Sequence, residues 1–225
     1  MAILGAGLVA SLSRGPWVGV MVLIVAYLAI GPYPVRNLGK FAIIMVVLVV
    51  PMVFTTAGSQ LTNLLPFVGS VDEQNVVYRQ RLFDSALAVI ERHPLLGSVD
   101  YLSTPEMQEM IQGEGIIDIV NTYLRVTLNS GLVGLGLFVC FFAVILIGLY
   151  QIVRFDIKDV DFSQSARASM ATLIAILVSI ATASSIDFIP YAYWSFSGLC
   201  VALIRIAFQE RAAGAHMGFA RRIPR

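Results

Sequence analysis

Residues 41–57, FAIIMVVLVVPMVFTTA, contain no charged side chain. Similar apolar stretches recur at 16–31, 131–153, 168–186 and 189–208. About 20 apolar residues in helical form cross a bilayer core. Lipid offers no partner to an unsatisfied backbone group, so a chain of this kind crosses as helices. The pattern predicts an all-α, polytopic transmembrane protein. Composition agrees: 58% of residues are hydrophobic and 13% charged, against roughly 45–50% and 25% in soluble domains. Mean hydropathy is +0.82. Residues 1–13 read as a further, partial helix cut off at its start. They lack the basic n-region and small-residue cleavage site of a secretory signal. Cys140 and Cys200 both fall in apolar stretches and read as buried free thiols.

A net charge of +1 gives no general attraction to nucleic acid, so the placement of charge carries the information. Three basic stretches separate the spans: Arg36 with Lys40, then Arg154, Lys158 and Arg167, then Arg211, Arg221, Arg222 and Arg225. The positive-inside rule puts all three in the cytoplasm under one threading of the chain. Segment 58–130 is then a large external loop. Between 58 and 118 it holds nine acidic residues against three arginines. Arg14, in SLSRGPWVGV, falls on the same external side. Ser13 can cap a helix that begins there, and Pro16 suits its first turn. Free N–H groups and the helix dipole at such a start favour an anion. Arg14 therefore reads either as part of an anion site in a cavity beneath the loop or as an interfacial arginine snorkelling to headgroups.

Within the loop, YRQRLFDSALAVIER at 78–92 has helical periodicity, with Leu82, Phe83, Ala86, Leu87 and Ile90 as its apolar stripe. This phase puts Arg79 on the buried face, where it needs an anionic substrate or a structural acid such as Asp72 or Glu73. Arg81, about 160° from Phe83, is expected to face water or headgroups. HPLLG at 93–97 ends the helix, because a residue before proline leaves helical geometry. A second loop helix is expected over 114–129, EGIIDIVNTYLRVTLN. In it Glu114, Asp118, Asn121 and Arg125 would form one polar stripe facing a wet cavity or an internal network. Gly131 and Gly134 then open the next span and allow close helix contact.

Three segments in order, SLSRG, YRQRLFDSALAVIERHPLLG and DIVNTYLRVTLNSGLVGLGLF, resemble the bacterial O-antigen ligase and polymerase family. The likeness runs from residue 1 to about 150. It implies a multi-pass protein of the bacterial inner membrane that acts on the external, periplasmic face. It also implies a glycan donor carried on undecaprenyl pyrophosphate and a glycan or lipid-linked acceptor. Members usually have ten or more spans, so this chain looks like the C-terminal half of one. Residue by residue, the resemblance places the pyrophosphate grip on Arg14 and Arg79, with Arg81 beside them. Arginine's planar fork suits phosphate oxygens. Ligases of the family carry a histidine, then Asn, then nine residues, then Gly. Here Asn121 and Gly131 keep that spacing, but Val120 stands where the histidine would be. Valine cannot accept a proton, which turns the expectation towards the polysaccharide polymerase branch.

The implied reaction is metal-independent and needs no cofactor. His93 and His216 fall on opposite expected sides of the membrane and cannot share an ion. A carboxylate would take the acceptor proton, with Asp118 the first candidate and Glu114 the second; Asn121 and Arg125 would support them. Surrounding lipid and export or chain-length proteins are the further partners expected. Two other classes fit the same residues: a transporter or flippase of lipid-linked glycans, and a non-catalytic membrane fragment. The arginines' place near the external surface rather than at mid-bilayer favours the enzyme.

Overall fold

The computed structural model describes residues 14–53, 73–113, 115–154, 160–182 and 188–220. Every regular element among them is helical: α1 (Arg14–Ile30), α2 (Pro34–Val53), α3 (Glu73–Arg92), a 3-10 turn (Tyr101–Ser103), α4 (Pro105–Gln108), α5 (Thr122–Arg154), α6 (Val160–Ser179) and α7 (Phe188–Ala220). The protein is a helical membrane protein. Pro34–Pro51, Thr122–Arg154 and Phe188–Arg211 are long and apolar enough to cross a bilayer, and Gly15–Ile30 is a shorter apolar helix. Helix α6 packs between α1 and α5 and also touches α7.

The bundle is built on a seven-residue period. Phe138, Phe142, Ile145, Leu149 and Ile152 form the buried seam of α5. It meets Ala166, Leu173 and Ile180 from α6 and Tyr193, Cys200 and Ala207 from α7. Residues seven apart keep one face of a helix turned to its neighbours, as in left-handed coiled-coil packing. At one end of the seam the aromatic rings interlock: Phe138 meets Phe142 edge-on at 4.8 Å, and Phe142 stacks with Trp194 at 5.8 Å. Cys200 is buried as expected, but Cys140 is exposed on the outer side of α5. Burial there follows the seam, and position 140 lies off it.

Two contacts fix the direction of α1 against α6. Gly19 sits against the Ser179 hydroxyl, and Gly31 sits against the Arg167 guanidinium, which lies 3.9 Å from the Tyr27 ring centre. The helices are antiparallel. The first residue of α1, Arg14, is therefore at the same end of the bundle as the close of α6. Thr122 N–H donates to the Ile180 carbonyl at 2.9 Å, so the start of α5 is at that end as well. Arg36, Lys40, Arg154 and Arg167 lie towards the opposite end. Arg154 there donates to the Tyr150 hydroxyl at 2.7 Å, and Arg36 lies over the Tyr33 ring.

Segment 73–121 forms a small cap on the first of these ends, with its own core. Leu82, Ala86 and Val89 from α3 pack against Tyr101, Met107, Met110, Ile119 and Leu128. Arg92 and Glu106 form an ion pair that ties the end of α3 to α4.

Candidate functional site

The cap meets the bundle where α5 is broken. Gly131 has φ 65° and ψ −168° inside an otherwise continuous helix. Such a break leaves carbonyls free before it and N–H groups free after it. The HPLLG turn supplies the missing partners. Leu132 N–H donates to the Pro94 carbonyl at 2.8 Å, and Val133 N–H donates to that of Leu95 at 3.2 Å. In return Ser98 N–H donates to the Leu128 carbonyl at 2.8 Å. The two backbones are so close that a Cβ on Gly97 would lie 2.6 Å from the Gly131 nitrogen, and one on Gly131 would collide with the Leu95 carbonyl. Both glycines also have positive φ, which side chains rarely tolerate. The turn expected at 93–97 is present; its partner was not visible in the sequence.

The expected helix over 114–129 is corrected. Residues 116–121 have no regular structure, and α5 starts only at Thr122. Asn121 caps it, its side-chain oxygen accepting from the N–H groups of Tyr123 (2.9 Å) and Leu124 (3.2 Å). Upstream, Gly113, Gly115 and the β-branched Ile116, Ile117, Ile119 and Val120 are poor helix formers. The polar stripe therefore does not exist as a helical face. Asp118 lies in the extended stretch, partly buried, while Arg125 is exposed on the first turn of α5. Glu114 lies outside the described residues.

Helix α3 also has a different phase. Leu82, Ala86 and Val89 are buried, whereas Phe83 is 50% and Leu87 43% exposed. Arg79, expected on the buried face, is exposed. It lies about 60° from the Leu82 direction, on the flank of the stripe, next to Tyr78, which itself packs against the cap core. Arg81 is exposed on the opposite flank, about 100° away. Of Arg14 only the backbone, as the first residue of α1, is among the described features.

Beside Arg81 the surface dips into an open groove of about 300 Å³. Its polar lining is Tyr78, Arg81, Glu109 and Gln112; Val77, Met110 and Ile111 complete it. The Tyr78 hydroxyl reaches the carbonyls of Met110 (3.4 Å) and Asp118 (3.3 Å), pinning the loop to α3. Burial pushes the Tyr78 phenol above its ordinary value. The hydrogen bond to the Asp118 carbonyl opposes that shift, and the negative charge of Asp118 adds to it. The phenol is thus a donor at neutral pH. Glu109 and Gln112 are polar groups of this surface that sequence reasoning missed; no periodicity marks them, because the loop that carries them is irregular.

The start of α1 at Arg14, the loop helix, its turn and the Asn121–Gly131 pair are now in place at one end of a helical bundle. Residues 1–139 match the family model described as O-antigen ligase. The chain belongs to the O-antigen ligase family. The match spans α1 to the early turns of the second half of α5, and so includes the groove, the turn and the break. No curated protein and no solved structure matches the chain. Membership makes this a multi-pass membrane protein of O-antigen ligase or polymerase type, a glycosyltransferase-like class that works on lipid-linked glycans.

Proposed function

We propose that the protein transfers or polymerises glycan repeat units carried on undecaprenyl pyrophosphate, on the external face of the bacterial inner membrane. The observation that carries this is the family match, which takes in both the arginine-bearing start of α1 and the cap at the same end of the bundle. Under this reading an acceptor hydroxyl attacks the anomeric carbon of the donor. The bond from that carbon to the pyrophosphate oxygen breaks, and undecaprenyl pyrophosphate leaves with the electron pair. Arg14 and Arg79 meet the charge that develops on the leaving oxygens. The hydroxyl proton goes to the Asp118 carboxylate, since Val120 offers no base. Asn121 acts through the backbone, holding the start of α5 next to Asp118. The basic end of the bundle, with Arg36, Lys40 and Arg154, faces the cytoplasm.

The test uses the full chain purified into proteoliposomes. The donor is the pool of undecaprenyl-pyrophosphate-linked repeat units extracted from the membranes of the cells that make the protein. Longer glycans and free undecaprenyl pyrophosphate are expected together. Donor that crosses the bilayer unchanged, with no new glycosidic bond, would replace the transferase by a flippase.

A further inference from the structure

The groove between α3 and the loop at 109–112 has a chemistry that a pyrophosphate does not satisfy. Arg81 and Glu109 both face it, yet they are not paired with each other. A guanidinium and a carboxylate on one concave surface suit a ligand that both donates and accepts hydrogen bonds. A phosphate accepts only and would be repelled by Glu109. A lipid tail would desolvate both charges without replacing water. A polyol meets each demand, because every hydroxyl is at once donor and acceptor. The rim adds a second, independent feature: Val77 is 46% and Ile111 44% exposed beside the polar groups. Apolar side chains there can cover the C–H face of a sugar ring. The volume, about 300 Å³, is at the small end of ligand pockets, which run from about 300 to 1,000 Å³. It suits one or two sugar rings.

We propose that this groove is a saccharide-binding subsite in which Glu109 and Arg81 hold hydroxyls of the glycan. The proposal rests on the transferase reading for the identity of the sugar-bearing substrate, and it moves Arg81 from the pyrophosphate to the glycan. The Tyr78 hydroxyl links the groove to the Asp118 carbonyl, so a glycan seated here lies next to the segment that carries the candidate base. Gln112 lines the same side and adds an amide that can both donate and accept.

The experiment has two arms on the full chain in detergent. The first is saturation-transfer NMR with oligosaccharides released by mild acid from the surface polysaccharide of the producing cells. Wild-type protein should bind them. Glu109→Gln and Arg81→Ala should each weaken binding roughly tenfold, and Glu91→Gln, exposed elsewhere on α3, should not. The second arm follows turnover in proteoliposomes. There Glu109→Gln should raise the KM for acceptor glycan with kcat little changed. Unaltered binding in both groove variants overturns the subsite and leaves the transferase reading standing. Intact binding with a collapsed kcat in Glu109→Gln also overturns it, making Glu109 a proton acceptor instead. Oligosaccharide binding that depends on Glu109, in a protein that transfers nothing, would keep the subsite and remove the transferase.

Discussion

The bundle and the cap hold their positions by different means. In the bundle, side chains at a seven-residue spacing pack from Phe138 to Ile152 on α5, from Ala166 to Leu173 and on to Ile180 along α6, and from Tyr193 to Ala207 on α7, so each contact is one of many. The cap has a core of eight buried residues, one of them Leu128 of α5, and main-chain bonds at a single turn seat it on the break in that helix. A distributed interface loses strength gradually as contacts are removed, whereas a close backbone approach that only two glycines allow fails at one substitution. Substitutions should therefore separate the two regions.

The largest effect on turnover is expected at Gly131. Gly131→Val adds a side chain at positive φ and drives it into the Leu95 carbonyl. Backbone strain of this kind costs about 1–3 kcal/mol, and the displaced turn also loses its bonds to Leu132 and Val133, at about 1 kcal/mol each. Polymer formation should disappear while the protein stays in the membrane and residues 93–113 become open to protease. Normal polymer with a protected cap would show that the turn does not place the site.

Next is Asp118→Asn, which should cut turnover on the order of 10²-fold, as loss of a general base does. Lipid-linked donor should still bind, since Arg14 and Arg79 remain. Near-normal polymerisation would make the carboxylate structural. Equal loss of donor binding and turnover would mean that it only orients the loop. Arg79→Ala sharpens the same point on α3: it should remove polymer through the donor, where Arg81→Ala is milder and acts through the acceptor.

The bundle should respond in the other way. Leu149→Ala empties a fully buried position and should cost about 2–5 kcal/mol of bundle stability. The fraction that remains folded should turn over at close to the normal rate, measured per mole of monodisperse protein. A large fall in that rate would mean that the bundle core and the cap are coupled.

How far the sequence could be read follows the same division. Apolar length and period place α2, α5 and α7, because lipid leaves no alternative to helix. Pro16 and HPLLG marked a start and a stop correctly. The cap was harder to read because its apolar residues are few and short-range rules compete. Phe83 and Leu87 look like core in a helical wheel, yet Val89 is buried instead, since only tertiary contact with Met107 and Leu128 sets the phase. The stripe from Glu114 to Arg125 has helical spacing, but Asn121 starts the helix after most of it. In the sequence Asn121 reads as part of that stripe and Gly131 as a point of close helix contact, at a spacing the family shares. The structure shows them as a cap and a break.

The smallest expected effect concerns acid. The Glu106 carboxyl is held below its ordinary value of 4.5, first by its own backbone N–H at the start of α4 and then by Arg92. Its contribution is thus present above that ordinary value and is lost as pH falls through the lowered one. Glu106→Gln should remove a slight acid sensitivity of the cap, seen as protease resistance between neutral and low pH, and leave the bundle unchanged. An acid response that survives the substitution would belong to another carboxylate.

The stretch between Asn121 and Gly131 behaves as a measuring rod. A helical residue adds about 1.5 Å of rise and about 100° of rotation. Inserting or deleting one residue within 122–130 would leave cap and break intact as local motifs. It would nevertheless swing the Leu128 carbonyl away from Ser98 and misalign the start of α5 with Ile180. Side chains facing outward here, such as Asn129 and Ser130, can vary in kind. The number of residues cannot.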